Sequence, residues 1–299
     1  MGSRDIEVRM PEGRHRPVST GCTVIQEETQ NPGLSARPAF SRLLSSVILV
    51  VASLIGLSSF LFPFFTPQQE GAFGELAHTQ DAPLIFALLV VLCLAAALSS
   101  LSSGIMNSKL IAVLGVLTAA NAVLRGVPGP AGFTLVLLLP ILCGYAYGPT
   151  FGFLLGVFSL GVSAFIGFGV GPWLPYQMFA AGWVGLLSGW LPRLARHPRA
   201  ETVMLAVWGL LWGFAFGALM NIWFWPYLAA PGGSELYWQP GVGLAETLKR
   251  YAAFYVVTSL WWDIMRAAGN LVLLFLFAGP ILRLLRRFQQ RFYFQVGAS

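Results

Sequence analysis

Residues 83–101 read PLIFALLVVLCLAAALSSL, an apolar run without a charged side chain. A helix of about 20 such residues is as long as the hydrocarbon core of a bilayer is thick. Further apolar runs lie on both sides of it, so the sequence predicts an all-α polytopic membrane bundle of about eight transmembrane helices. The predicted helices are Leu43–Phe65, Pro83–Leu101, Leu110–Leu124, Phe133–Tyr147, Pro149–Phe168, Tyr176–Leu191, Val203–Trp225 and Tyr251–Ala278.

The composition favours the same class of protein. Hydrophobic residues make up 56% of the 299 residues and charged residues 10%, whereas soluble proteins carry about 25% charged residues. The formal charge of +6 is spread over loops and tails as anchors, so we predict a lipid bilayer as the surroundings and no nucleic-acid partner. Cys22, Cys93 and Cys143 lie far apart without CxxC spacing, which favours buried thiols over a disulfide or a metal site.

The basic residues predict the orientation. Lys and Arg concentrate on the cytosolic side of membrane proteins, and eight spans place nearly all of them on one face. This predicts a multi-pass protein of the cytoplasmic membrane with both termini cytosolic. A break at Gly148–Pro149 separates two of the predicted spans; a single broken span there would leave seven crossings and termini on opposite sides. The clusters on the cytosolic face are Arg37 with Arg42, Lys109, Arg193–Arg199 and Arg283–Arg291, while Arg125 and the pair Lys249–Arg250 are exceptions.

The chain lacks the motifs of several enzyme classes. Neither lysine lies in a GxxxxGK[ST] loop, which excludes a nucleotide-hydrolysing P-loop. His15, His78 and His197 fall in predicted tails or loops, and none is spaced with a carboxylate as metal ligands are. GxSxG and HExxH motifs are also absent. We therefore predict a protein that is not an enzyme, without catalytic residues, cofactor or metal.

Asp263 and Arg266 are the clearest ionisable residues inside a predicted span. Such residues are costly in lipid and are often functional. Their i,i+3 spacing puts both on one helical face, where they can neutralise each other. They are either a substrate-contacting or gating pair, or a compensated pair that fixes the last helix against its neighbours.

Amides and aromatic residues suggest a ligand site toward the outer side. Asn121 and Asn221 are predicted near the outer leaflet and Asn270 in the inner half; buried amides of this kind seek partners on other helices or on a ligand. Tryptophan and tyrosine residues in the outer halves indicate either an interfacial belt or a pocket for a flat or bulky ligand. The irregular stretch 167–178, GFGVGPWLPYQM, is the best candidate for a ligand-lining loop. The candidate substrate-binding residues are Trp173, Tyr176, Gln177, Asn121, Asn221, Trp223, Trp262, Asp263 and Arg266.

Small residues recur on the third predicted helix at Ala112, Gly115 and Ala119. Such spacing allows close approach of another helix. The stripe serves either packing within the chain or docking of a separate membrane subunit.

From Lys109 to Arg287 the sequence resembles the substrate-binding S components of energy-coupling-factor (ECF) vitamin transporters. The resemblance is carried by the small residues just named, GPWLPYQM at 171–178, AGWVGLLSG at 181–189, MNIWFWP at 220–226 and WDIMRAAGN at 262–270. It implies a six-helix core that binds a vitamin from outside and passes it inward with a T subunit and two ATPases. The stripe Ala112, Gly115 and Ala119 would contact the T subunit.

The resemblance also divides the chain. Residues 1–42 are polar, mixed in charge and punctuated by Pro and Gly, which predicts a disordered cytosolic tail. The resemblance then separates a two-helix N-terminal membrane extension (43–108) from the six-helix core (109–287), which a cytosolic C-terminal tail (288–299) follows. The extension departs from the six-span pattern and would be a docking element or a lid. The segment at 171–178 looks most like the branch associated with cobalamin, although a flavin or a small aromatic vitamin also suits a tryptophan-rich surface. A self-sufficient secondary carrier and a non-transporting scaffold or receptor are the alternatives.

Overall fold

The computed structural model describes residues 32–65, 78–102, 106–127, 129, 132–228 and 235–292. Within these ranges the chain forms nine α-helices. The helices are α1 (Pro32–Leu61), α2 (Ala82–Ser102), α3 (Ser108–Arg125), α4 (Leu138–Tyr147), α5 (Pro149–Ser163), α6 (Leu174–Ser188), α7 (Pro198–Phe224), α8 (Leu244–Thr258) and α9 (Leu260–Phe292). The predicted all-α membrane bundle is thereby confirmed.

Helix lengths distinguish two groups. In the described ranges, six helices are long and apolar enough to cross a bilayer: α1, α2, α3, α5, α7 and α9. Helices α4 and α6 have 10 and 15 residues and are shorter than a bilayer core of about 30 Å at a rise of about 1.5 Å per residue. Both pack between the longer helices, in agreement with their short apolar runs.

Three predicted boundaries differ from the structure. Helix α1 begins at Pro32 and not at Leu43, so the predicted tail retains only residues 1–31, which lie outside the described residues. The predicted single helix Tyr251–Ala278 is wrong, because the chain breaks at Ser259 between α8 and α9. Helix α9 continues to Phe292, past the predicted end of the core, and residues 293–299 lie outside the described part.

The predicted break between α4 and α5 is present. Gly148 has a φ of 102°, a conformation that glycine adopts readily and other residues avoid. Pro149 then starts α5, where its missing N–H leaves no bond unmade. The chain therefore reverses here, and α4 and α5 are separate helices.

Glycines bring α4, α5 and α6 into backbone contact. A Cβ added at Gly144 or Gly152 would overlap the main-chain oxygen of Gly185, and one at Gly156 would overlap that of Ala181. Close approach of this kind is how small residues stabilise helix pairs in membranes. We name this contact, formed by Gly144, Gly152, Gly156, Ala181 and Gly185, the glycine seam.

The bundle has two chemically different ends. The arginine end holds the α6–α7 connection and the last turns of α9, where Arg286 forms an ion pair with the buried Glu201. The Tyr145 hydroxyl donates to Glu201 Oε1 at 2.6 Å and accepts from the Leu194 amide at 2.9 Å. The aromatic end holds the α5–α6 and α7–α8 connections and the segment before α2. Candidate ligand residues lie mainly at this end.

Candidate functional site

Tyr176 and Trp223 meet at the aromatic end, as expected for two residues of one site. Tyr176 lies in the first turn of α6 and Trp223 in the last turn of α7, both buried. Their ring centroids are 6.1 Å apart. They form one wall, to which helices distant in sequence each contribute an aromatic face.

His78, just before α2, covers this wall. It is 2% exposed, and its Nε2 lies 3.0 Å from the main-chain oxygen of Trp223. Its Nδ1 lies 2.7 Å from Asp81 Oδ2 and 2.6 Å from the Tyr176 hydroxyl. The ring also stacks on Trp223 at 5.9 Å and contacts Tyr227 at 4.8 Å. We name the segment His78–Asp81 with these contacts the clasp.

His78 and Asp81 form a hydrogen-bonded pair. A carbonyl oxygen only accepts, so His78 Nε2 donates to Trp223, and a second proton must lie between Nδ1 and Asp81 Oδ2. Burial alone would raise the pKa of Asp81, but hydrogen bonds from His78 and Tyr176 and the nearby imidazole charge lower it below its ordinary value. The His78 imidazole and the Asp81 carboxyl group therefore share this proton. The Tyr176 hydroxyl donates to the same carboxylate oxygen at 2.7 Å.

A second polar group joins α3, α5 and α6. The half-buried Arg125 donates to Ser163 Oγ at 2.8 Å and to Gln177 Oε1 at 2.9 Å. One turn earlier, Asn121 Nδ2 donates to Ser159 Oγ at 2.9 Å and to the main-chain oxygen of Val136 at 3.0 Å. Gln177 and Asn121 thus lie on the α3 side of the aromatic end, in a polar group that is separate from the clasp.

A third polar group lies between α7, α8 and α9. Asn221 Oδ1 accepts from Ser259 at 2.9 Å. The buried Asp263 accepts from the Tyr255 hydroxyl at 2.8 Å and pairs with Arg266. The break at Ser259 makes this possible, since it lets α8 fold back so that Tyr255 reaches α9. The hydrogen bond from Tyr255 to Asp263 therefore joins α8 to α9, while Arg266 pairs with Asp263 within α9.

Several buried polar atoms lack a partner among the described residues. They are Thr118 Oγ1, Asn121 Oδ1, Trp212 Nε1, Asn221 Nδ2 and Trp223 Nε1. Leaving such an atom unpaired costs about 1–3 kcal/mol, so each calls for water or a ligand. Asn221 Nδ2 and Trp223 Nε1 are donors two residues apart on α7, at the aromatic end.

The tryptophans predicted to form either an interfacial belt or a ligand pocket fall into an exposed and a buried group. Trp261 and Trp262 are 64% and 52% exposed, and Trp173 is 37% exposed with its ring over Gly171. Exposed rings at a helix end are typical of an interfacial belt. Trp223 and Trp225 are buried, and with Tyr176 they contribute to the interior.

Two cavities lie at the aromatic end, and Thr79 of the clasp lines the first of them. One, of about 340 Å³, lies between the start of α2 and the predicted ligand-lining loop, with Pro83, Phe86, Gly171 and Pro175 in its walls. The other, of about 410 Å³, lies between the end of α1 and the α7–α8 connection, with Phe64, Trp225, Trp238 and Tyr251 in its walls. The loop at 167–178 therefore does line a cavity, facing the N-terminal extension.

The predicted stripe on α3 is exposed. Ala112, Gly115 and Ala119 all face outward, and a Cβ added at Gly115 would meet nothing within 4 Å. The small residues that pack within the chain are instead those of the glycine seam. In the described part of the chain, the stripe therefore does not serve packing within the chain, the first of its two alternatives.

Sequence reasoning missed His78, Asp81 and the part of Arg125 in the site. The i,i+3 spacing of His78 and Asp81 was the available signal, but a histidine in a connecting segment gave no reason to expect burial. The pair does not extend to a metal site: no group of three His, Cys, Asp or Glu side chains suited to a metal occurs in the described ranges.

Comparison with known proteins gives one match. The sequence profile of the family described as "ECF transporter, substrate-specific component" matches residues 109–278, more than half of the chain. The match begins at the start of α3 and leaves α1 and α2 outside it. No curated protein and no solved structure matches the chain.

Proposed function

The chain belongs to the family of ECF transporter substrate-specific components, and from this premise we propose that it captures a vitamin or related micronutrient outside the cell. Delivery inward would require a T transmembrane subunit and two ATPase subunits. Its own part is binding, since the sequence contains no P-loop. The multi-pass bundle would lie in the cytoplasmic membrane with its aromatic end outside and both termini cytosolic, because its arginine clusters favour the cytosolic side.

The unpartnered donors Asn221 Nδ2 and Trp223 Nε1 are the observation that carries this proposal. Trp223 lies beside the ring of Tyr176 at the aromatic end, whereas Asn221, two residues earlier on α7, faces Ser259 between α8 and α9. Aromatic walls with a few directed polar groups are what an organic ligand requires. We assign the primary ligand contacts to Tyr176, Asn221 and Trp223. Around them we place Gln177 and Asn121 on the α3 side, Asp263 and Arg266 beneath, and Trp173 and Trp262 at the rim.

Cobalamin is the first substrate candidate, by the resemblance of residues 171–178. The cavities of about 340 and 410 Å³ at the aromatic end suit a small vitamin, since ligand pockets begin at about 300 Å³. A corrinoid is several times larger than thiamine, so it would need the two spaces to merge by displacement of the clasp. Riboflavin and thiamine are therefore the competing candidates.

The exposed stripe Ala112, Gly115 and Ala119 is the proposed contact with the T subunit. A bare helix surface lets a partner helix approach closely in lipid. Nothing in the described part of the chain covers Gly115, so the surface is available without rearrangement.

Native mass spectrometry of the protein purified in mild detergent tests the proposal, with cobalamin, riboflavin and thiamine offered at equal concentration. A retained or added vitamin would establish binding and identify the substrate. An empty protein that co-purifies with ATPase subunits would keep the transporter and remove these substrates. Absence of both would favour a secondary carrier or a scaffold.

A further inference from the structure

The N-terminal extension reaches into the proposed ligand site through His78 and Asp81. We propose that the segment His78–Asp81 is a clasp that closes the aromatic end over Trp223, and that ligand enters and leaves only when this clasp opens. The role in ligand passage rests on the proposed function; closure over Trp223 does not.

The clasp joins the N-terminal extension to the part of the chain that matches the family. Residues 78–81 lie outside the matched family region, which starts at 109, whereas Tyr176 and Trp223 lie inside it. The bonds from His78 to Trp223 and from Tyr176 to Asp81 therefore hold the extension onto the core. They do so at the wall assigned to the ligand.

Several features of the contact between the clasp and the core favour its release. His78 has a φ of 58°, and a non-glycine residue in the left-handed region is strained, a feature that clusters at ligand clamps. A cavity borders Thr79 on one side of the segment, so the segment has room to move on that side. The Asp81 side chain is 28% exposed, so water can reach the carboxylate that bonds to His78 and Tyr176.

The rest of the extension can stay in place while the clasp opens. Near the opposite end of the helix pair, Ser45 hydrogen-bonds to Ser99 at 3.1 Å and to Ser100 at 3.3 Å. Helices α1 and α2 also pack on each other and on α6. Opening thus requires movement only at the aromatic end.

Opening would also create binding groups. The main-chain oxygen of Trp223 and the Tyr176 hydroxyl both bond to the clasp in the closed state. When the clasp is open, the main-chain oxygen of Trp223 and the Tyr176 hydroxyl are released beside the unpartnered Trp223 Nε1. Ligand and clasp would therefore compete for the same wall.

Cysteine labelling tests the clasp without knowledge of the ligand. Trp223→Cys is introduced in the full chain with Cys22→Ser, Cys93→Ala and Cys143→Ala, and intact cells are treated with a membrane-impermeant trimethylammonium methanethiosulfonate. The bond from His78 to the main-chain oxygen of residue 223 is retained in this variant. We expect slow labelling, accelerated about tenfold or more by adding His78→Ala, the scale of one or two lost hydrogen bonds.

Two further variants make the result specific. Asp81→Asn keeps the shape of the clasp and should accelerate labelling as well, and it replaces His78→Ala should that protein fail to fold. Ser45→Ala removes a polar contact of the same extension away from Trp223 and should leave the rate unchanged. Equal labelling rates in all variants, or equal acceleration by Ser45→Ala, would overturn the clasp.

The same assay separates the clasp from the proposed function. A vitamin that protects the cysteine at 223 supports both. If cobalamin, riboflavin and thiamine all fail to protect it and none is retained by the wild-type chain in mass spectrometry, while His78→Ala still accelerates labelling, the clasp stands and these substrates fail.

Discussion

Nε2 of His78 donates a hydrogen bond of 3.0 Å to the main-chain oxygen of Trp223, 145 residues further along the chain. One bond thus connects the extension that precedes the family region with the last turn of α7. The two helices before Lys109 are part of the aromatic end itself and contribute a buried side chain to it. The lid alternative for the extension gains its support from this contact.

Trp223→Ala should weaken vitamin binding about tenfold or more while the protein still folds. The variant removes an aromatic wall and an unpartnered donor, and aromatic contacts contribute about 0.5–1.5 kcal/mol beyond buried area. Isothermal titration with the vitamin found by mass spectrometry measures the effect. Trp261→Ala is the matched control, since its ring is 64% exposed; equal losses in both variants would remove Trp223 from the site.

Gly115→Leu should abolish co-purification with the T subunit and leave vitamin affinity and melting temperature unchanged. A side chain at 115 meets no atom of the chain but would hold a partner helix away. The matched substitution Gly152→Leu should prevent folding, because its Cβ overlaps the main-chain oxygen of Gly185. Intact co-purification of Gly115→Leu would move the docking surface elsewhere.

Asp263→Asn should lower the stability of the protein by about 3 kcal/mol, since loss of one partner leaves the other charge of a buried pair uncompensated. The Asp263 side chain is 2% exposed and that of Arg266 18% exposed. Thermal unfolding in detergent measures the loss, and the double variant Asp263→Asn with Arg266→Gln should recover part of it. Unchanged stability with lost vitamin affinity would instead make Asp263 a substrate contact.

The contribution of Asp81 to stability should disappear in acid. Its pKa is lowered from the ordinary 3.8, so the contribution is fully present above that value and is lost as the pH falls through the lower pKa of the folded protein. His78, Tyr176 and Tyr227 face this carboxylate. The melting temperature of the wild type should therefore exceed that of Asp81→Asn at pH 7, and the difference should shrink as the pH falls below 3.8. A difference that persists in acid would mean that the charge is not what holds the clasp.

Hydropathy predicts the apolar runs well because a bilayer allows few solutions for a polar backbone. It fails at Ser259 because the residues on both sides are aromatic and aliphatic, and only the polar first turns of α8, with Glu246 and Arg250, show that this helix is not part of a span. Burial of His78 also escaped prediction. It depends on Tyr176 and Trp223, which are distant in sequence, and no local pattern encodes such a contact.

The order of synthesis gives the clasp a consequence for assembly in the membrane. A ribosome completes His78 98 residues before Tyr176 and 145 residues before Trp223. Helices α1 and α2 must therefore insert before the His78 imidazole and the Asp81 carboxyl group can form their hydrogen bonds with Trp223 and Tyr176. These side chains can be buried only after α7 is in place. The final packing of α1 and α2 therefore requires that the chain as far as α7 has already been inserted.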